Sequence, residues 1–186
     1  APAAGAVLLG ALMPFLWQQP TWIDLGLMLA LGLFGAASAA QAQDDSDALV
    51  SFSVMKPEIA VTLAQAALES CRGEGAQIAV AVVDRFGNLQ MMLRDRFAGP
   101  HTPETARRKA WTAVNFARDT SELIERGNIG PTLAGQPKVT LLAGGLVIRS
   151  AGSLVGGIGV AGAPGGDKDE ACAKAGIAVI QDQLDF

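Results

Sequence analysis

The stretch Arg94-Asp95-Arg96-Phe97-Ala98-Gly99-Pro100-His101-Thr102 concentrates the chemistry of this 186-residue chain. It holds the only histidine, flanked by Arg94, Arg96, Arg107 and Arg108, with Met91, Met92 and Phe97 close by in sequence. Guanidinium groups pair carboxylates in a bidentate fork, an imidazole moves protons or ligates metals, and sulfur and aromatic side chains supply apolar surface. Together they suit an amphipathic, carboxylate-bearing ligand bound against the loop and the first turn of the following helix. With a macrocyclic metal cofactor, His101 or a methionine sulfur ligates the metal while the arginines clamp propionates. Two other readings use the same residues. One is an enzyme acting on a small carboxylate, with Arg94 or Arg107 as clamp and His101 as general acid/base. The other is a solvated cationic loop with His101 packed near a helix start.

Two further patterns bear on chemistry. Gly157-Ile158-Gly159-Val160-Ala161-Gly162 spells the dinucleotide fingerprint, but those glycines belong at a strand-to-helix turn. Here they fall inside or at the end of a strand, and Asp167, Asp169 and Glu170 bring negative charge to the next helix start, where a phosphate would be repelled. A nucleotide site is rejected. Cys71 and Cys172 are either two buried thiols or, in an exported protein, a disulfide.

The elements that must position these residues follow from spacing. Glu58 to Arg72 carries apolar residues at Ile59, Leu63, Ala66, Ala67 and Cys71, a helical period closed by Gly73 and Gly75. Residues 78–94 read as a β-hairpin turning at Asp84–Asn88, with Gly87 free to take positive φ. Thr102-Pro103-Glu104 opens a second helix, with Thr102 as N-cap and an alanine stripe implying a close approach to a sheet. Strands are expected at Val139–Leu142, Leu146–Ile148 and Leu154–Val160, then a last helix capped by Asp167. The order α-β-β-α-β-β-β-α predicts an α/β (α+β) fold with a five-stranded antiparallel sheet packed by helices.

Composition bounds the function. Half of the residues are hydrophobic, and 14 basic against 18 acidic residues give a net charge of −4, which excludes a phosphate-neutralising nucleic-acid binder. One histidine and two cysteines are too few for a zinc site of four such ligands. Residues 1–42 carry one charge, Asp24, and Leu25 to Ala37 is an apolar run leading to Ala40-Gln41-Ala42, a small-x-small cleavage pattern. They read as a signal-like segment or a retained membrane anchor, residues 43–54 as a linker, and residues 55–186 as the folded domain. The expected location is the periplasm or the exterior, or a membrane anchored facing the periplasm.

The residues also carry a family likeness. Ala79-Val80-Ala81-Val82-Val83-Asp84-x-x-Gly87-x-Leu89, Lys109-Ala110-Trp111-Thr112-Ala113, Gly144-Gly145, Val155 to Gly162 and Asp167-x-Asp169-Glu170-x-Cys172-Ala173 together resemble the GlcG/HbpS family, the haem-degrading or DUF336 domain. A relative forms the C-terminal part of PduO cobalamin adenosyltransferases. The resemblance implies a profilin-like fold with helices on both sheet faces, homo-oligomers, and haem or corrinoid as a tetrapyrrole partner. It also implies terminal helices on one side of the sheet, where Cys71 and Cys172 would pair. Some exported members are assigned haem storage or breakdown, so the expected function is an exported haem-binding, haem-sequestering or haem-degrading protein. A non-catalytic oligomeric accessory subunit, at a membrane if residues 1–42 are retained, is the alternative. The family motif assigns no ligating position here; His101, with Thr102 beside it, is chosen on chemistry.

Overall fold

Pro57 opens α1 (Pro57–Gly73), where its missing N–H costs nothing, and Ala60, Leu63, Ala64, Ala67, Leu68 and Cys71 form the buried face. This computed structural model describes residues 49–126 and 130–185. The signal-like or anchor segment, residues 1–42, and residues 43–48 of the linker lie outside the described residues.

After α1 the chain forms the hairpin of β1 (Ala79–Asp84) and β2 (Leu89–Arg94). Its turn is built by side chains: Asp84 Oδ1 accepts the N–H groups of Phe86 and Asn88 at 2.8 and 2.9 Å, and Gly87 takes a φ of 82°. Then follow α2 (Thr102–Phe116), α3 (Thr120–Glu125), α4 (Gly130–Ala134), β3 (Gly145–Ser150), β4 (Ser153–Ala161) and α5 (Gly166–Leu184). The sheet order is β2-β1-β4-β3, with every neighbouring pair antiparallel. Strand β1 lies inside the sheet, so Ala79 to Val83 are buried on both faces, which explains an apolar run without alternation.

Helices α1 and α5 cover one face. Leu63, Val80, Val82, Ile148, Ile158 and Ile180 fill the main core there, and Cys71 is disulfide-bonded to Cys172 with their Cα atoms 5.5 Å apart. Helix α2 covers the other face, where Ala106 packs with Ala79 and Ala81, and Ala110 and Val114 with Val83. The glycines of the apparent nucleotide fingerprint make that approach possible. A Cβ at Gly159 would lie 2.0 Å from the Ala106 carbonyl oxygen, and one at Gly157 would lie 2.6 Å from Val114 Cγ2. They are bare because a helix backbone rests on them.

The expected fifth strand is absent: among the described residues the sheet has four strands, and Val139–Leu142 is irregular. Its place is filled by side chains. The Gly145 N–H bonds Thr120 Oγ1 at 3.0 Å and the Val147 N–H bonds Asp119 Oδ1 at 2.9 Å. Two residues at the α2–α3 turn thus cap the edge of β3 against further pairing. The Thr140 N–H goes to Thr112 Oγ1 at 3.0 Å rather than to a strand. Both expected caps also differ. Thr102 is the first residue of α2 and its hydroxyl donates to the Gly99 carbonyl at 2.8 Å, while His101 occupies the N-cap position. Asp167 lies inside α5, whose N-cap is Gly165.

Candidate functional site

A cleft of about 820 Å³ opens beside the first half of α2. Its walls are the turn after α1 (residues 75–77), the loop that follows β2, the approach to β3 (residues 141–143) and the β4–α5 connection. Its volume is in the range of small-molecule sites, roughly 300–1,000 Å³. The rim exposes the apolar side chains Phe97 (78%), Leu142 (52%) and Ile124 (43%) beside the exposed polar groups of His101 and Asp167.

Of the residues singled out from sequence, the cleft brings together Phe97, His101 and Thr102. The imidazole is exposed and lies over Gly99, where a Cβ would fall 2.7 Å from His101 Cε1; glycine makes room for the ring. Thr102 is buried, and its hydroxyl, spent on Gly99, ties the loop to the helix start. Arg94 donates to the Ala98 carbonyl and so braces the loop from within. The Arg96 guanidinium lies 5.7 Å from the Phe97 ring centroid, a cation–π contact at the rim.

The other four residues, Arg107, Arg108, Met91 and Met92, are engaged elsewhere. Arg107 pairs with Glu104 at 2.9 Å and Arg108 joins the same carboxylate at 2.8 Å. These hydrogen bonds, from Arg107 first and then Arg108, bring the Glu104 carboxyl down to about 2. Met91 packs on the α1/α5 core and Met92 beside Ala79, Ala81 and Ala106 on the opposite face of the sheet.

The deeper wall holds a buried ion pair. Lys109 Nζ donates to Asp169 Oδ2 at 2.6 Å and to the Val160 carbonyl at 2.8 Å, with the two side chains 3% and 6% exposed. Asp169 Oδ1 accepts the Ala163 N–H at 3.0 Å, so one carboxylate joins α5, the β4–α5 connection and α2. Burial pushes the Asp169 carboxyl above the usual carboxylate range, with Lys109 opposing that shift. Thr102, Thr105 and Lys109 follow one another along the cleft-facing side of α2 at helical spacing.

Residues 55–178 match the family model described as haem degrading protein HbpS-like. The chain belongs to the HbpS-like family. Streptomyces reticuli HbpS, in a doubly substituted form, superposes with a TM-score of 0.69 at 43% identity, covering 75% of this chain and 95% of that one. A PduOC–haem complex superposes with a TM-score of 0.62 at 28% identity, covering 69% of this chain and 96% of that one. The corrinoid adenosyltransferase PduO of Salmonella typhimurium is 32% identical over 123 residues, 63% of this chain and 36% of PduO. The PduO of Citrobacter freundii, also 32% identical, is matched over 55% of this chain and 32% of its own length. This HbpS-like chain therefore spans about a third of the length of the curated relatives it matches.

Sequence reasoning missed Lys109 and Asp169 as a pair. One signal existed: Lys109 stands three residues after Ala106 and four before Ala113, a charge on the alanine stripe of α2. Its partner, 60 residues away, is not marked by spacing.

Proposed function

We propose that this chain is an exported haem-binding protein whose ligand occupies the cleft beside α2. The observation that carries the reading is an exposed imidazole at the mouth of a partly apolar-rimmed cleft of about 820 Å³. The residues present fit the group: His101 supplies a nitrogen donor for iron, Phe97 a planar apolar surface, and Arg96 a cation for an acid side arm. Bound haem supplies a redox-active iron. The chain's own part is to hold the ring against the rim, fix His101 over Gly99, and limit water on the buried side. Support comes from the haem complex of PduOC and from family membership. Export is supported by the Cys71–Cys172 disulfide, a bond that persists in oxidising compartments, and by the signal-like residues 1–42. The homo-oligomeric state implied by the family likeness belongs to this reading and is tested by light scattering.

Hemin titration of the full chain is expected to shift the Soret band with micromolar affinity, about −8 kcal/mol. His101→Ala is expected to change the position of that band. Identical spectra for the two proteins would remove His101 as the ligand; no binding by wild type would end the haem reading. Following the Soret band after adding a reductant separates degradation from sequestration. Cobalamin in the same titration tests the corrinoid alternative raised by the PduO relatives.

A further inference from the structure

Lys109 has more hydrogen-bonding capacity than its neighbours take up. An ammonium carries three donors; Asp169 and the Val160 carbonyl occupy two. Lys109 is also among the residues that line the cleft, with its side chain 3% exposed. The position that would close over the ammonium is Gly144, which has a φ of 108°; a Cβ there would lie 3.0 Å from Lys109 Nζ and 2.6 Å from Asp169 Cβ. Only glycine fits at that point, so the backbone packs directly against the ion pair.

We infer that the inner wall of the cleft is a carboxylate-reading subsite, in which Lys109 donates a hydrogen bond to an acid group of the bound ligand while Asp169 holds the ammonium in place. A purely structural brace between α2, β4 and α5 is weakly motivated, because well-packed apolar residues of similar volume serve that purpose as well as a buried ion pair or better. Two further features point to a ligand. The pair borders an open cleft rather than a closed core, and the same cleft exposes apolar side chains at Phe97, Leu142 and Ile124. A ligand matching both has an apolar body and an inward-facing carboxylate. The Lys109–Asp169 pair is neutral as a unit, so recognition is by a directed N–H donor and not by net charge. That favours a carboxylate over its ester, since an ionised acceptor makes a charge-assisted hydrogen bond roughly twice as strong as one to a neutral ester carbonyl.

This inference rests on the cleft being the ligand site, and the test separates the two. The probes are protoporphyrin IX and its dimethyl ester, both metal-free, so that ligation by His101 plays no part. Fluorescence titration of the full chain is expected to show at least tenfold tighter binding of the diacid by wild type. In Lys109→Met/Asp169→Asn, which removes the cation without stranding an anion and keeps an acceptor for Ala163, the ratio is expected to fall near one. Near-UV circular dichroism checks that the variant is folded. A readout on wild type needs no variant: the ¹⁵Nζ resonance of Lys109 is expected to move with the diacid and stay in place with the ester. An unchanged ratio in the folded variant, or an unmoved resonance while the diacid binds, overturns the subsite and leaves the cleft reading standing. Failure of both porphyrins to bind wild type, with hemin also silent, overturns both.

Discussion

Opening the Cys71–Cys172 bridge removes a covalent tie between α1 and α5, and its cost can be worked from the chain. The two residues are separated by 101 positions. In the chain-entropy account a crosslink closing a loop of about 100 residues restricts the unfolded chain by about 4.7 kcal/mol at 25 °C. Residual structure in the denatured state reduces that figure, and removal of native disulfides costs roughly 2–5 kcal/mol. Both cysteines are buried, at 1% and 0% exposure, so substitution also removes packed sulfur atoms. Reduced wild type isolates the crosslink, and Cys71→Ala/Cys172→Ala adds the lost packing. In urea titrations followed by circular dichroism, both should unfold at lower denaturant than the oxidised protein, the double variant lowest. Without the tie the unfolded chain is more expanded, so the slope against urea should rise as well. At about 4 °C per kcal/mol for a domain of this size, thermal midpoints should fall by roughly 8–20 °C. Equal midpoints for oxidised and reduced protein would refute the reasoning, as would two free thiols in denatured protein from an oxidising host.

Gly159→Ala puts a methyl group 2.0 Å from the Ala106 carbonyl oxygen and 2.7 Å from the Ala110 nitrogen, both backbone atoms that cannot swing aside. Its cost should reach or exceed the upper end of about 1–3 kcal/mol for overpacking. Gly73→Ala, which meets nothing within 4 Å in α1, should be neutral or stabilise by up to about 1 kcal/mol; equal urea midpoints for the two variants would contradict this account of β4. Glu104 is lowered from 4.5 to about 2, so its contribution to stability is full above pH 4.5 and is lost as pH falls toward 2. Because its side chain is 50% exposed, screening keeps that contribution small, and the check is direct: carboxyl ¹³C titration should give a midpoint well below 4.5 that rises in Arg107→Gln.

What could be read in the sequence was what local chemistry decides. The β1–β2 hairpin was legible because Asp84, Gly87 and Asn88 build its turn among themselves. The closeness of α2 to the sheet was legible because an alanine stripe has no other use. Val139–Leu142 shows the limit. Its apolar content suits a strand, but strands need a free edge, and that edge is occupied by Asp119 and Thr120 from a distant turn. The glycines of β4 illustrate the same limit from the other side: the motif was visible, while the backbone resting on it belonged to another element.

The candidate site divides along the same line. Phe97, His101 and Thr102 could be grouped because they lie within six consecutive residues, and a short loop cannot scatter them far. Arg107 was drawn into the group by charge alone, although Glu104, three residues before it on the same helix, is the partner that such spacing favours. Lys109 is the harder case. A lysine on a helix stripe that must be buried cannot stay unpaired, so the sequence demanded a buried acceptor somewhere. Which of the 18 acidic residues answers that demand depends on the course of the chain through β3 and β4. Asp169 answers it because the β4–α5 connection returns to the first half of α2, and Asp169 then grips both Lys109 and Ala163. The fold supplies the cleft and its buried cation by a single return of the chain, which is why neither could be located before the other.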